Sequence, residues 1–145
     1  NRHAISASLV QVLAESYALY QMTHLYHWNV QGPRFGPLHQ MFSDQYNETW
    51  TALDEIAERI RALGIMVPDH KTLLAMANIP APNDASPTED VMLKALLGGQ
   101  ESMVRAARTT LRLAADGGDD ASADLMTERC AAGEKAAWML RAHLG

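Results

Sequence analysis

Apolar residues recur at intervals of three and four positions along most of the chain, which is the spacing of amphipathic helices. No sustained alternation of apolar and polar residues, the pattern of a half-buried strand, interrupts them. A short helix is predicted at residues 71–77, inside a long connection. Four long helices are predicted at residues 5–30, 37–63, 86–116 and 119–143. The pattern therefore predicts an all-α protein.

The predicted helix ends are marked by residues that cap or break helices. Glycine follows each of the first three long helices, at Gly32, Gly64 and Gly117. The sequence Ser-Pro-Thr-Glu at residues 86–89 predicts a capping box with the serine as N-cap. Four long helices with one long connection are typical of a ferritin-like four-helix bundle, in which that connection crosses over the bundle. We expect residues 1–145 to form a single such domain.

The second long helix carries two stripes of residues with different chemistry. One follows the seam spacing of a bundle helix and predicts the core face, which comprises Phe42, Tyr46, Thr49, Leu53, Ile56, Ile60 and Leu63. The other lies about a third of a turn away and comprises His39, Ser43, Trp50, Asp54 and Glu58. Imidazole and carboxylate groups are common metal ligands, so the second stripe is a candidate metal site.

Helix geometry prevents His39 and Asp54 from holding one metal ion within one chain. They lie 15 residues apart, which is about 22 Å along an unbroken helix. A two-fold axis near the middle of the helix would pack a second copy antiparallel and bring its Asp54 and Glu58 beside His39. His27 can join His39 through the short turn between the first two helices. Each dimer would then have two sites of two imidazoles and two carboxylates, which suit Fe(II), with Zn(II) as a competitor.

The ordinary alternative is that these residues bind no metal. An Asp–Glu pair on a helix usually faces water. A histidine near an aromatic residue is more often packed or capping than a metal ligand. Short motifs also carry a high risk of false positives, so the spacing alone leaves both interpretations open.

Composition argues against several other classes of protein. The formal net charge is −5 and the sequence pI is near 5.6, so the chain lacks the basic character of a nucleic-acid-binding protein. No apolar run is long enough to span a membrane. The single cysteine, Cys130, and the absence of a secretory signal favour a cytoplasmic location. Because the sequence starts at Asn1 rather than at a methionine, we expect an N-terminal segment to be absent from it.

Two sequence motifs, together with the distance between them along the chain, resemble those of the Dps family. These proteins are the mini-ferritins, named as DNA-binding proteins from starved cells. The first is His-Trp-Asn-Val-Gln-Gly-Pro at residues 27–33, followed by Leu-His at 38–39, and the second is Asp-Glu-Ile-Ala-Glu-Arg-Ile at 54–60. The similarity is continuous over about residues 19–64. It implies a dodecameric homo-oligomeric shell of four-helix subunits. It also implies Fe(II) oxidation at the two-fold interfaces, often with hydrogen peroxide, and storage of ferric iron inside.

The resemblance assigns ligand positions to residues of this chain. His27, His39, Asp54 and Glu58 match the family's metal ligands, in agreement with the inter-chain geometry. The family usually has a carboxylate four residues after the second histidine, where this chain has Ser43. Because a hydroxyl is a poor ligand for Fe(II), we expect one firmly bound metal and a second that is weak or supported by water at Ser43. No haem is expected.

Two tryptophans lie close to the predicted ligands. Trp28 follows a ligand along the chain, and Trp50 lies on the metal stripe. One interpretation is aromatic packing in the dimer interface, where such residues are enriched. The other is electron donation that protects the protein when peroxide is used, and the two roles are compatible.

Three acidic residues of the fourth helix, Asp120, Asp124 and Glu128, are spaced by four and share one face. The resemblance assigns this region to a three-fold opening of the shell, where three copies would form rings of carboxylates that attract Fe(II). For Asp119 and Asp120 the ordinary interpretation is N-capping of the fourth helix.

Two other functions stay open. Family members that compact DNA often use a tail rich in Lys and Arg, whereas this sequence has no lysine before Lys71. We therefore expect DNA binding to be weak or absent, and association with the nucleoid would require a basic N-terminal extension. The other function is a cage that buffers metal ions, zinc included, without catalysis, which Ser43 favours.

Overall fold

Four long helices and one short helix account for most of residues 2–145, which are the residues that this computed structural model describes. No strand occurs among them. The helices are α1 (Arg2–Asn29), α2 (Phe35–Ala62), α3 (His70–Met76), α4 (Glu89–Asp116) and α5 (Asp120–Leu144). The predicted all-α fold, with a short extra helix in the long connection between the second and third long helices, is confirmed.

The four long helices form a closed bundle. α1 packs against α2 and α4, and α5 packs against the same two helices, while α3 covers α1 from outside. The core is closed by large side chains that are almost fully buried, which include Phe42, Leu9, Leu19, Leu38, Ile56, Ile60, Met92, Leu93, Leu96, Met103, Met126 and Leu140. None of the helices within residues 2–145 is both long and apolar enough to cross a membrane.

α2 is a single uninterrupted helix of 28 residues. It begins at Phe35, two residues before the predicted start. Most of its predicted core stripe is buried, but Tyr46 and Leu53 are only half-buried. The ring of Tyr46 stacks on His24 of α1, at 4.0 Å between ring centroids, so it belongs to an aromatic group between the two helices.

The predicted capping box at the start of α4 is wrong. The N-cap is Thr88, whose hydroxyl accepts a hydrogen bond from the Val91 amide. Ser86 instead donates its hydroxyl to the backbone oxygen of Asn29, at the end of α1. Glu89, which should have reached back to Ser86, is buried and bonds to Arg34. Partners distant in sequence therefore outcompete the local capping pattern.

A fully buried carboxylate, Glu15, fastens the long connection to the bundle. It accepts hydrogen bonds from the backbone amides of Asn78 and Ile79, and from the side chains of Gln11 and Ser102. Buried carboxylates are tolerated when hydrogen bonds satisfy their oxygens. The crossover segment is thereby held against α1 and α4.

Two ion pairs join α2 to α5. Arg129 is only 5% exposed, and its guanidinium donates two hydrogen bonds to Glu48. Nearer the end of α2, Arg59 donates to Asp119 and to the Ser122 hydroxyl, both at 2.9 Å. These pairs fix the angle at which α5 lies against α2.

Candidate metal centre

His27 and His39 form a reciprocally bonded pair across the α1–α2 hairpin. His27 Nδ1 donates to the backbone oxygen of His39 at 2.8 Å, and His39 Nδ1 donates to the backbone oxygen of His27 at 2.7 Å. The rings stack with 3.9 Å between centroids and 16° between planes. His27 lies in the last turn of α1, where carbonyl oxygens lack an intrahelical donor, so the His39 ring also caps that helix.

These two hydrogen bonds determine which ring nitrogen is free. A carbonyl oxygen can only accept, so Nδ1 carries the proton in both rings. In the neutral ring the lone pair is then on Nε2, which is the atom that can bind a metal ion. A backbone partner on the opposite nitrogen is the usual way in which proteins orient metal-binding histidines.

Aromatic rings surround the pair. Phe35 stacks on the other side of His39, with 4.9 Å between centroids. His24 lies one turn before His27 and accepts or donates a hydrogen bond to the Tyr20 hydroxyl at 2.9 Å. Burial, and then the charge of the neighbouring His27, lower the pKa of His24. Both effects favour the neutral form of the His24 ring.

Trp28 and Trp50 lie at the edge of this aromatic group and are mostly exposed to solvent. Trp28 contacts His24 at 4.0 Å between centroids, and Trp50 contacts Tyr20 at 5.2 Å. Through these rings each tryptophan is in contact with the surroundings of the histidine pair. The Tyr20–His24 hydrogen bond was not foreseen, although the i, i+4 spacing in the first helix was visible in the sequence.

Asp54 and Glu58 are exposed on the far half of α2 and are not brought to the histidine pair. Within residues 2–145 no group of three or more His, Cys, Asp or Glu side chains can hold a metal ion in one chain. Beside Asp54 a cleft of about 950 Å³ opens between α1, α2 and α3, and its wall includes Trp50 and Leu53. Each chain thus contains two separated halves of the predicted ligand set.

Ser43 lies between these halves and is half-buried. The side-chain amide of Asn47 donates to the Ser43 backbone oxygen at 2.9 Å and approaches its hydroxyl at 3.5 Å. Neighbouring Asp44 accepts from Gln40, one turn earlier on α2. Asp44, the carboxylate next to Ser43 in sequence, is therefore engaged by Gln40.

The acidic residues of α5 fall into two groups. Asp120, Asp124 and Glu128 are exposed and follow one another by one helical turn. Asp119 is the N-cap of α5 and accepts from the Ser122 amide and hydroxyl and from Arg59. Burial raises the pKa of Asp119, but the hydrogen bonds from Ser122 and the charge of Arg59 outweigh it and leave the pKa below its ordinary value. Asp119 is thus committed to structure.

Comparison with known proteins identifies the family of this chain. The family model for the ferritin-like domain covers residues 6–145. DNA protection during starvation protein 2 of Bacillus anthracis is 34% identical over 145 residues, which are 99% of this chain and 98% of that protein. The chain belongs to the Dps family. Membership places it among ferritin-like proteins of iron storage and protection.

Solved structures of Dps proteins superpose closely on this fold. A Dps protein from Vibrio cholerae, described as a member of a superfamily of ferritin-like diiron-carboxylate proteins, has a TM-score of 0.93 and 31% identity, and the match covers 99% of this chain and 91% of that one. Antigen TpF1 from Treponema pallidum has a TM-score of 0.94 and 30% identity, over 99% and 92% of the two chains. The predicted ferritin-like bundle and the predicted family are confirmed.

Proposed function

We propose that this Dps protein oxidises Fe(II) with hydrogen peroxide at sites shared between two copies, and stores the ferric product in a homo-oligomeric cage, a dodecamer. In each site His27 and His39 of one copy bind the iron together with Asp54 and Glu58 of the other. The observation that carries the proposal is the reciprocal His27–His39 hydrogen bonding, because it leaves both Nε2 atoms free to bind metal.

The separation of the two half-sites supports a shared site. α2 is unbroken, so His39 and Asp54 stay about 22 Å apart within one copy. An antiparallel α2 from a second copy brings them together at both ends of the interface, since a two-fold contact repeats itself. The same arrangement covers Trp28 and Trp50, which are large apolar residues that one chain leaves in water.

The proposed chemistry divides the work between ligands and oxidant. Imidazole and carboxylate ligands suit Fe(II), and the carboxylates gain affinity as the charge rises in Fe(III). Hydrogen peroxide needs two electrons and two protons to break its O–O bond and form two water molecules. One Fe(II) supplies one electron, so the second comes from another Fe(II) or from the indole of Trp28 or Trp50.

Asp120, Asp124 and Glu128 are proposed to attract Fe(II) to an opening of the cage at which three copies meet. Their exposure and their spacing on one helix face support this role, because several carboxylates together raise the local concentration of cations. Replacing all three by their amides should slow iron uptake without weakening Zn(II) binding at the shared site. Stopped-flow absorbance and calorimetry measure the two quantities separately.

The direct test of the shared site is anaerobic loading of the assembled protein with Fe(II), followed by peroxide, with ferric absorbance recorded over time. Asp54→Ala should slow oxidation by at least ten-fold, since it removes one of two carboxylate ligands. Glu55→Ala is the matched control, because Glu55 is the adjacent exposed carboxylate on α2. Equal rates for the wild type and the Asp54 variant would remove this residue from the reaction.

Metal buffering without catalysis is a second candidate, favoured by the serine at position 43. A site with few acidic ligands can hold Zn(II) as well as Fe(II), since zinc accepts mixed nitrogen and oxygen ligands. In that case Fe(II) would bind anaerobically with the same dependence on Asp54, but peroxide would produce no ferric absorbance faster than in buffer alone.

A further inference from the structure

The short turn between α1 and α2 is held from outside by three other parts of the chain. At its start, the Asn29 side chain donates to the backbone oxygen of Ala85, and Ser86 donates to the backbone oxygen of Asn29. At its end, Arg34 bonds to α4 and to the end of α5. His27 lies in the last turn of α1 before this turn, and His39 lies about one helical turn into α2 after it.

Arg34 makes four hydrogen bonds around the turn. Its amide and its Nε donate to the two oxygens of Glu89, at 2.9 and 3.1 Å. Its two terminal nitrogens donate to the backbone oxygen of His143 and to Asp90, at 2.8 and 2.7 Å. The hydrogen bonds that Arg34 donates to Asp90 and Glu89 raise the pKa of Arg34, so the guanidinium stays charged. One residue thus ties α2 to α4 and α5.

Glu89 is the buried half of this arrangement, with an exposure of only 8%. Its carboxylate also packs against Gly32, which has a φ of +131°. The positive φ favours glycine at this position, and a Cβ there would lie 2.9 Å from the carboxyl carbon of Glu89 and would displace that side chain. The Glu89 carboxylate therefore contacts the turn at Gly32 in addition to holding the Arg34 side chain.

α2 has no side-chain cap of its own. Its N-cap residue is Arg34, whose side chain forms no capping hydrogen bond. The amide of Arg34 instead donates to the Glu89 carboxylate, so a residue of α4 takes the place of a local cap at the start of α2. His39 lies about one turn into that helix, so a small rotation there changes the distance between the two imidazole rings.

We propose that Arg34 and Glu89 are positioning residues for the His27–His39 pair, and that their buried contact keeps both Nε2 atoms free to bind metal. Hydrogen bonds of 2.7 and 2.8 Å tolerate little displacement, because their strength falls steeply with distance and angle. When the contact is broken, the rings lose their carbonyl partners and each can carry its proton on either nitrogen. The role in metal binding rests on the proposed function, whereas the effect on the rings does not.

The first experiment observes the rings without any metal. Sedimented metal-free protein with ¹⁵N-labelled histidine is studied by solid-state NMR, and the signals are assigned with His27→Gln and His39→Gln variants. The wild type should show a single form of each ring, protonated at Nδ1. Glu89→Ala should show a mixture of the two neutral forms, and Glu89→Gln, which keeps one acceptor oxygen, a smaller fraction of the second form.

The matched control is Asp90→Ala. It removes a carboxylate from the same turn of α4 and a bond to the same guanidinium, but this carboxylate is exposed. The rings should stay in a single form. A single Nδ1-protonated form in both Glu89 variants, or equal mixtures in the Glu89 and Asp90 variants, would overturn the positioning role.

The second experiment is titration of the assembled protein with Zn(II) alone, by calorimetry. Loss of the groups that orient metal-binding histidines usually weakens affinity about 10- to 100-fold, and we expect this range for Glu89→Ala and less for Glu89→Gln. Circular dichroism and the mass of the assembly show whether each variant is folded. If the wild type binds no Zn(II) through His27, the proposed metal site fails, while the NMR result still decides the positioning role.

Discussion

His39 and Asp54 lie on one unbroken helix, about four turns apart, and each belongs to a different half of the proposed ligand set. No bending of α2 is present that would bring them together. If the proposed ligands are correct, a copy of this chain on its own holds half of two sites rather than one whole site. Activity should then depend on assembly. This dependence can be tested by an experiment whose expected result differs from that for a site within one chain.

Two inactive variants should restore each other when they are co-assembled. His27→Ala/His39→Ala lacks the imidazoles, and Asp54→Ala/Glu58→Ala lacks the carboxylates, so each alone should be inactive. In a mixed dimer one interface site combines the intact halves of both chains, and the other site has none. Random pairing makes half of the dimers mixed, so about a quarter of the wild-type rate of Fe(II) oxidation should return.

The control for this experiment is a mixture of the two variants that were assembled separately. That mixture should stay inactive, because no site combines the two chains. Absence of recovery in a co-assembled sample, shown by mass spectrometry to contain both chains, would contradict a site shared between copies.

Ser43 should limit the number of metal ions at each site. In Ser43→Glu a carboxylate is restored one turn after His39, so the count of tightly bound Zn(II) per dimer should rise from two towards four. The Asn47 amide already donates to the backbone oxygen at this position, so it lies beside the new side chain. Equilibrium dialysis with metal analysis measures the count. Ser43→Ala should leave it at two, and four firmly bound ions in the wild type would show that the serine is no obstacle.

Asp119 should make the stability of the subunit depend on pH in the acidic range. Its pKa is lowered in the folded state, so its contribution is complete above the ordinary carboxyl value and is lost as the pH falls through the folded pKa. Asp119→Ala removes the N-cap of α5, which should cost about 1 kcal/mol at neutral pH, and more if the bond to Arg59 adds to it.

Thermal denaturation of the wild type and of this variant tests the direction of this pH dependence. The difference in Tm should be constant between pH 6 and 8 and should shrink below about pH 4, where the unfolded carboxyl is protonated. Asp69→Ala is a matched control, since Asp69 caps the short helix α3 with a pKa that is lowered chiefly by hydrogen bonds from Thr72. Its effect on Tm should be smaller, because it lacks a cationic partner of the kind that Arg59 provides.

Replacing each of two glycines by alanine should change the stability of the protein in opposite directions. A Cβ at Gly133 of α5 would lie 2.4 Å from Val104 and 2.7 Å from Met103, so Gly133→Ala should destabilise the bundle by about 1–3 kcal/mol. A Cβ at Gly98 of α4 meets nothing within 4 Å, so Gly98→Ala should stabilise it by about 0.5–1 kcal/mol. Denaturant unfolding measures both, and similar shifts for the two variants would contradict the close approach of α5 to α4.

Helices were predictable because their apolar spacing is a local property of the sequence. α2 and α5 match the predicted segments to within two residues at each end, and the short helix differs by one. The error at the start of α4 arose because a local motif, Ser86 with Glu89, competes with Arg34, which lies 55 residues away. The pattern of residue types along the chain does not reveal contacts between residues so far apart in sequence.

The sequence allows the residue types of the candidate site to be predicted. It does not allow their arrangement in space to be predicted. The spacing of His39, Asp54 and Glu58 shows that one chain cannot assemble them. It does not show the exchange of hydrogen bonds between His27 and His39, because that depends on how the turn is held. Glu15 is a similar case. From the sequence, a single glutamate in an apolar helix is expected to be exposed. In the fold it is buried, because the amides of Asn78 and Ile79 donate hydrogen bonds to it.

All three tryptophans of the chain are largely in water in the single copy, with exposures of 62% for Trp28, 58% for Trp50 and 61% for Trp138. Tryptophan emission shifts to shorter wavelength when the indole leaves water. Folding of one copy should therefore change this fluorescence little, whereas contact between copies that buries Trp28 and Trp50 should change it strongly. In the proposed assembly, tryptophan emission is thus an intrinsic optical signal of subunit association rather than of core formation.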